Sequence, residues 1–473
     1  MTLIETPVAP AERKTVSSQV NGTVKREQQP DLRPAEWKGY EKVLFRFFFV
    51  YFLVQAVPLD WKYYRDIFSL DWSSLHFSNF FYLARYTPRF FSEVPELADW
   101  FVVAVIALIG TITWGIVDSK SKEYNNLYYW LRVVLRYRLA VALLAYGFIK
   151  FFPLQMPYPS ISNLNTNYGD IEAWKLFSMS TGIVPGYESF LGLVELLAAL
   201  LLLYRKTASI GAFIVLPYTG NVVMSNLAYE GGEYVYALVL VTFALFLVAF
   251  DAARLITLTS LEKPTAPNRF NPVLKEGWQK NGRLILKSAF VLVFVVFYGY
   301  KTYAGSRNDV YHYPQTPGLA DASGIYNVKE FRINNNVLPY SPTDAVRWKD
   351  VVFEKWATLS IRANRPVTLT AALTEEIFLD DEKRTYELSG SAGRHYYSYE
   401  IDAANKTLTL QNRNKNYVSD RLVLHYDRPD ANTIILSGID QHKDTLYVVL
   451  ERIDKKYLLE EAAKGGRRRG LKL

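Results

Sequence analysis

Cysteine is absent from this 473-residue chain, which removes disulfides, thiolate metal sites, CxxC redox chemistry and cysteine-held iron–sulfur clusters. Histidine is scarce: of five, only His76 precedes the polar C-terminal part, so the chain alone cannot build an intramembrane bis-histidine haem. His312, His395, His425 and His442 lack metal-ligand spacing and read as ordinary surface or barrel residues, and no metal site is expected. Glycine-rich phosphate loops are also missing. Residues 1–37 have no apolar core followed by a small-residue cleavage site and read as a disordered cytoplasmic tail, not a signal peptide. The net charge is +8, but the basic residues are scattered through loops without a face of stacking aromatics, which argues against nucleic acid.

What the chain has is hydrocarbon. It is 50% hydrophobic and 15% aromatic, yet its mean hydropathy is −0.01, because apolar blocks over 40–300 coexist with a polar part over 301–473. Seven spans are predicted: Tyr40–Val57, Trp100–Val117, Tyr129–Phe152, Ser189–Tyr204, Thr207–Leu227, Tyr234–Phe250 and Leu284–Tyr300. With the N-terminus inside, segments 1–42, 118–138, 205–206 and 251–287 carry 21 Lys and Arg, and the outer loops carry five. An odd number of spans then places the C-terminal part outside, which in a bacterium would be the periplasm. The loop 58–99 mixes aromatics with charges and is expected to lie along the outer surface, while 151–187 is expected to form an outer loop, with one short helix at 170–179, that lids a site beneath it.

The outer domain reads as β. Ile325–Ile333, Ala357–Arg362, His395–Asp402, Lys406–Leu410, Leu422–Tyr426, Thr433–Leu436 and Thr445–Arg452 are rich in β-branched and aromatic residues. Turn-forming runs at 402–406, 427–432 and 440–444 separate the later ones, predicting an antiparallel barrel or sandwich. The fold class is thus a membrane α-helical bundle with a C-terminal all-β domain. Its parts are the tail 1–37, two spans with an aromatic loop over 38–128, a four-helix core over 129–254, a cytoplasmic loop and last span over 255–304, the β domain over 305–460 and a basic tail over 461–473.

Chemistry-bearing groups gather in the core. Glu195 lies inside the greasy run Ser189–Tyr204, where a bare carboxylate costs roughly 2.5–3.5 kcal/mol on insertion scales and needs a partner, a proton or a job. Tyr146 and Lys150 share a helix face, with Gly147 permitting close approach of a neighbour. Three readings of Glu195 stand: an ion pair with Lys150, a carboxyl hydrogen-bonded into a packed neighbour for assembly only, and a carboxylate in a solvent-accessible cavity. Lys150 alone also fits an interfacial lysine snorkelling to the headgroups. Tyr218, Asn221 and Ser225 recur at helical spacing beside Pro217, as interhelical glue or as ligand contacts. The turn Tyr229–Tyr234 reads as a solvated acidic loop.

The runs YGFIKFFPLQMP, GLVELLAALLLLYRKTASIGA and NVVMSNLAYE resemble the DoxX family of bacterial membrane proteins over about 129–254. Gly147 and Lys150 match the family's Gly-x-x-Lys, and Gly192 and Glu195 its Gly-x-x-Glu before a leucine run. Asn221 and Asn226 are similar to the Asn-rich exit of a Bacteroidetes-like subgroup. That exit continues toward an aromatic, an Asp and a Pro in the subgroup; here it reads Tyr229-Glu230-Gly231-Gly232, so no role carries over to this turn. The resemblance implies a four-helix membrane bundle and quinone-linked redox work, one related branch supplying membrane subunits of a thiosulfate:quinone oxidoreductase.

The resulting expectation is an inner-membrane protein binding a quinone or other amphiphile as the membrane subunit of a redox system. Glu195 would be the proton-handling candidate, and Lys150, Glu195, Tyr218, Asn221 and Ser225 the ligand contacts. The lipid bilayer and a redox partner carrying the redox centre complete it. The rival expectation is a non-enzymatic assembly or anchoring factor whose β domain binds an envelope protein or glycan.

Overall fold

The computed structural model describes residues 37–92, 94–118, 120–265, 272, 276–308, 311–369 and 377–465. Apart from Trp37, the expected N-terminal tail lies outside them, as do residues 466–473 of the basic tail. The start of that tail, 461–465, belongs instead to a helix, Leu458–Gly465 (α13).

The apolar blocks form helices α1 (Gly39–Ala56), α2 (Trp61–Phe68), α3 (Phe77–Ala84), α4 (Leu97–Val117), α5 (Asn125–Phe151), α6 (Ile161–Leu164), α7 (Ala173–Gly182), α8 (Pro185–Leu203), α9 (Ala208–Ala228), α10 (Tyr234–Thr259), α11 (Gly277–Phe290) and α12 (Tyr298–Asn308). A π-helical turn, Val291–Phe297, joins α11 to α12. Six of the described stretches are long and apolar enough to cross a membrane: Gly39–Phe68, α4, α8, α9, α10 and Gly277–Asn308.

The remaining expected span is α5, which is not among those six: it carries Arg132, Arg136, Arg138 and Lys150. It is nevertheless the central helix, burying Leu131, Leu135, Leu139 and Ala142–Gly147 among its neighbours. Two of its arginines close the ends of other helices. Arg136 donates to the carbonyls of Leu202 and Leu203 at 3.0 and 3.3 Å, and Arg138 to those of Ala84 and Tyr86 at 2.6 and 2.5 Å. A cation at a helix C-terminus meets both the orphan carbonyls and the negative end of the dipole.

The 58–99 loop does not simply lie along a surface. Helix α2 buries none of its residues, but α3 is inserted, with Phe77, Phe80, Phe81 and Ala84 buried between α5 and α12. Phe77 rests on Gly305, where a β-carbon would collide with its ring. The sequence hid this because α3 has only eight residues, too few for a span signal.

The β domain is a closed antiparallel barrel of eight strands: β1 (Gly324–Ile333), β3 (Trp348–Phe353), β4 (Thr358–Ala363), β5 (His395–Asp402), β6 (Thr407–Asn412), β7 (Arg421–Asp427), β8 (Thr433–Ile439) and β9 (Thr445–Arg452). A two-residue strand, β2 (Asn336–Val337), pairs with β1, and β1 pairs back to β9 to shut the ring. Burial alternates along β6 and β9 as the period of two requires, and Tyr326, Phe353, Leu359, Leu408, Leu424 and Val448 fill the interior. The turns are those expected: Asp402 accepts from the amides of Ala404 and Asn405, and Asp440 from those of His442 and Asp444.

Candidate functional site

α5 and α8 run side by side and touch backbone to backbone. A β-carbon on Gly192 would strike the amide nitrogen of Phe151 and sit 2.6 Å from the Gly147 carbonyl oxygen. One on Gly147 would meet the Leu196 side chain at 3.0 Å and the Glu195 β-carbon at 3.2 Å. Small residues set this crossing. Each helix then places its charge three residues beyond its glycine. Lys150 Nζ stands 2.6 Å from Glu195 Oε1, with the two residues 9% and 5% exposed.

The ammonium also lies 5.5 Å from the Tyr146 ring centroid and 5.9 Å from that of Tyr218, an aromatic lining within cation–π range. The Tyr218 hydroxyl donates to the Leu191 carbonyl at 3.1 Å. Glu195 Oε2 is buried and accepts no hydrogen bond of good geometry, although the Tyr218 hydroxyl lies beside the carboxylate. The pair therefore keeps one acceptor in reserve, a place for a donor group or a proton.

The α9 stripe comes together only in part. Helix α9 buries Ala212, Val215, Thr219 and Val223, which leaves Tyr218 at the edge of the packed stripe and turns Asn221 away from it. Asn221 is exposed, and Ser225 donates to the Val222 carbonyl of its own helix at 3.0 Å. It is Asn226 that works between elements, its side-chain oxygen receiving the Glu233 amide at 3.3 Å.

The acidic turn is not simply solvated. Glu233 pairs with Arg85 after α3 and receives the Tyr146 hydroxyl at 3.3 Å, so it ties α3, α5 and α10 together.

Glu188 was missed by sequence reasoning. Seven residues before Glu195, it shares the same face of α8 and is 1% exposed, with Oε1 receiving the amides of Gln155 and Met156 at 2.9 and 3.1 Å. Its Oε2 accepts nothing. The seven-residue spacing was the available signal.

Above the pair, residues 152–184 fold into α6, a 3-10 turn and α7, and are gripped by the barrel. Glu354 receives the amides of Ile161 and Ser162 at 3.2 and 2.7 Å, and Asn163 donates to the Glu387 carbonyl at 2.9 Å. Lys175, fully buried on α7, donates to the Tyr386 carbonyl and lies 3.4 Å from that ring's centroid. Glu387 is held by Trp356 and Arg413 at 2.9 and 2.8 Å.

Burial holds Lys175 well below the usual lysine range, and burial followed by the neighbouring Glu387 carboxylate pushes Glu354 up to about 7. The histidines divide. His312 is buried with Nε2 on the Leu154 carbonyl at 2.9 Å, and burial pushes it down to about 3. His395 is buried beside Arg365, whereas His425 and His442 are exposed. Among the described residues no His, Asp and Glu cluster is placed to hold a metal ion.

Fold and site together define a multi-pass membrane protein whose helical bundle carries a C-terminal β-barrel. No protein-family model and no solved structure matches the chain. It is similar to the uncharacterized protein YwoB of Bacillus subtilis (strain 168), at 37% identity over 79 residues, which are 17% of this chain and 49% of that protein. The chain thus spans about half the length of the curated relative it matches.

Proposed function

We propose that this is a DoxX-like protein of the bacterial inner membrane, N-terminus in the cytoplasm and barrel in the periplasm, that binds the polar head of a quinone or similar amphiphile at Lys150 and Glu195 as the membrane subunit of a redox system. The observation that supports it is the buried ion pair with a spare carboxylate oxygen, lined by two tyrosine rings. A ligand hydroxyl or a protonated head fits that oxygen, a ligand carbonyl fits the ammonium, and the tail lies in lipid. The partner supplies the redox centre.

The test is Glu195→Gln, which keeps the hydrogen-bonding shape and abolishes titration. Quinone copurifying with the wild-type chain in mild detergent is expected to fall about tenfold in the variant at equal protein level, a loss of about 1.4 kcal/mol of binding. Unchanged quinone content counts against the reading.

A second reading, an envelope assembly or anchoring factor, is favoured by one feature of the barrel. Val337, Tyr340 and Val346 are each exposed in and after β2, which among the described residues pairs with β1 alone.

A further inference from the structure

On the far side of α5 from the Lys150–Glu195 pair lies a cavity of about 580 Å³, within the range of small-molecule sites. Its walls come from the end of α1, from α2 and α3, from the α5 face that carries Val134, Arg138 and Val141, and from the π-helical turn through Val293 and Phe294. Nearly all of this lining is apolar, and the helices that form it include two stretches long and apolar enough to cross a membrane. A π-helical turn costs regular hydrogen bonding, and such turns occur frequently at functional sites.

The charged residue in the wall is Arg138; Asn79, also there, is occupied in capping α3 through the His76 amide. The Arg138 guanidinium has five N–H donors, of which two serve the carbonyls of Ala84 and Tyr86, and the buried Tyr236 hydroxyl lies beside it. Among the described residues no ion pair joins the guanidinium to a carboxylate; Glu233, which like Arg138 acts on Tyr236, pairs with Arg85. Tyr86, also in the wall, accepts from the Leu59 amide at 3.3 Å through its hydroxyl oxygen and so retains its own proton to donate. A cation with donors to spare in the wall of a half-open apolar cavity calls for an anion that arrives with hydrocarbon attached.

We propose that this cavity binds an acyl chain bearing an anionic head, the chain lying along the π-helical turn and the carboxylate or phosphate held by Arg138 and Tyr86. The site is separate from the Lys150–Glu195 pair and does not depend on how that pair is read. The charge selects the ligand. An uncharged chain of equal length gains the same apolar burial and leaves the guanidinium without a counter-charge.

The experiment is equilibrium binding of tritiated palmitate to the full-length protein in nonionic detergent, by scintillation proximity, beside tritiated hexadecanol. Saturable palmitate binding is expected, with hexadecanol about tenfold weaker. Arg138→Gln is expected to abolish the preference by weakening palmitate alone. Val293→Phe, which fills the cavity and leaves the Arg138 hydrogen bonds intact, is expected to weaken both ligands about tenfold. This second variant decides the matter should Arg138→Gln fail to fold.

Unlabelled competitors separate the two sources of the anion. Displacement by phosphatidylglycerol but not phosphatidylcholine assigns a phospholipid head, and displacement by oleate alone assigns a free fatty acid. Equal affinity for palmitate and hexadecanol, absence of saturable binding, or indifference of palmitate to Val293→Phe overturns the proposal.

Discussion

A charged pair inside an apolar bundle behaves unlike one at a surface, because each member pays for leaving water and only the other repays it. Removing one partner of Lys150–Glu195 strands a buried charge, a loss of about 3–5 kcal/mol, whereas replacing both by apolar groups of similar volume is close to neutral. Lys150→Met and Glu195→Leu are therefore expected to lower the melting temperature of the purified chain strongly as single changes. The double variant should recover most of the loss. Additive losses in such a cycle would show that the pair is not coupled.

The pairing was legible as one of three readings, because a carboxylate inside a leucine run needs a partner and Lys150 is a cation on a neighbouring predicted span. Asn221 was not legible. Periodicity says which residues share a face, but the rotation of that face is decided by what the helix packs against, and α9 turns Val215, Thr219 and Val223 inward instead.

At the scale of elements, the crossing of α5 and α8 rests on a lack of side chain. Gly192→Ala is expected to destabilise by about 1–3 kcal/mol, since the added carbon meets backbone that cannot move aside. Gly220→Ala on α9 has nothing within 4 Å of the new carbon and is expected to be neutral or slightly stabilising, since alanine favours a helix interior. Thermal unfolding of the two variants side by side checks this, and equal shifts would deny the close crossing.

Helix boundaries were readable where hydrophobic runs are long. The short inserted helix α3 was not, because eight residues neither span nor show a reliable period; its place is fixed by Arg138 on its last carbonyls and Phe77 against Gly305. Among the barrel strands, β3 escaped notice. Its sequence WKDVVF puts a Lys and an Asp beside the aromatic, breaking the alternation that betrays the others.

For the molecule as a whole, the barrel and the 152–184 loop are joined through ionisable groups that have been taken out of water, and their protonation is linked to stability. The folded chain holds Glu354 at about 7 against an ordinary 4.5, so across that interval it keeps a proton that the unfolded chain releases. Its contribution is complete below about 4.5 and falls as pH rises through about 7.

His312, on the same side of the interface and held near 3, acts in the opposite sense. The unfolded chain takes up its proton first, so stability from this group grows as pH rises from about 3 to 6.5. Lys175, Glu387 and Arg413 also face the junction. Comparing Glu354→Gln with wild type isolates one member of this set. Between about pH 5 and 7.5 the wild-type chain is expected to lose stability relative to the variant, measured as melting curves that diverge as pH rises. Parallel curves would show that Glu354 does not titrate in that window.

The barrel's first and last strands are next-door neighbours, although more than a hundred residues of chain separate them. A ribosome therefore cannot deliver a finished ring until residue 452 has been made. Before that moment the polypeptide is a ribbon with two bare margins, while the helices ahead of it are already free to settle in lipid. Glu354 and Glu387 lie within that ribbon, so the clasp on the 152–184 loop is among the last acts of maturation, and a chain interrupted shortly before residue 452 would retain every helix up to α12 yet leave the ring open.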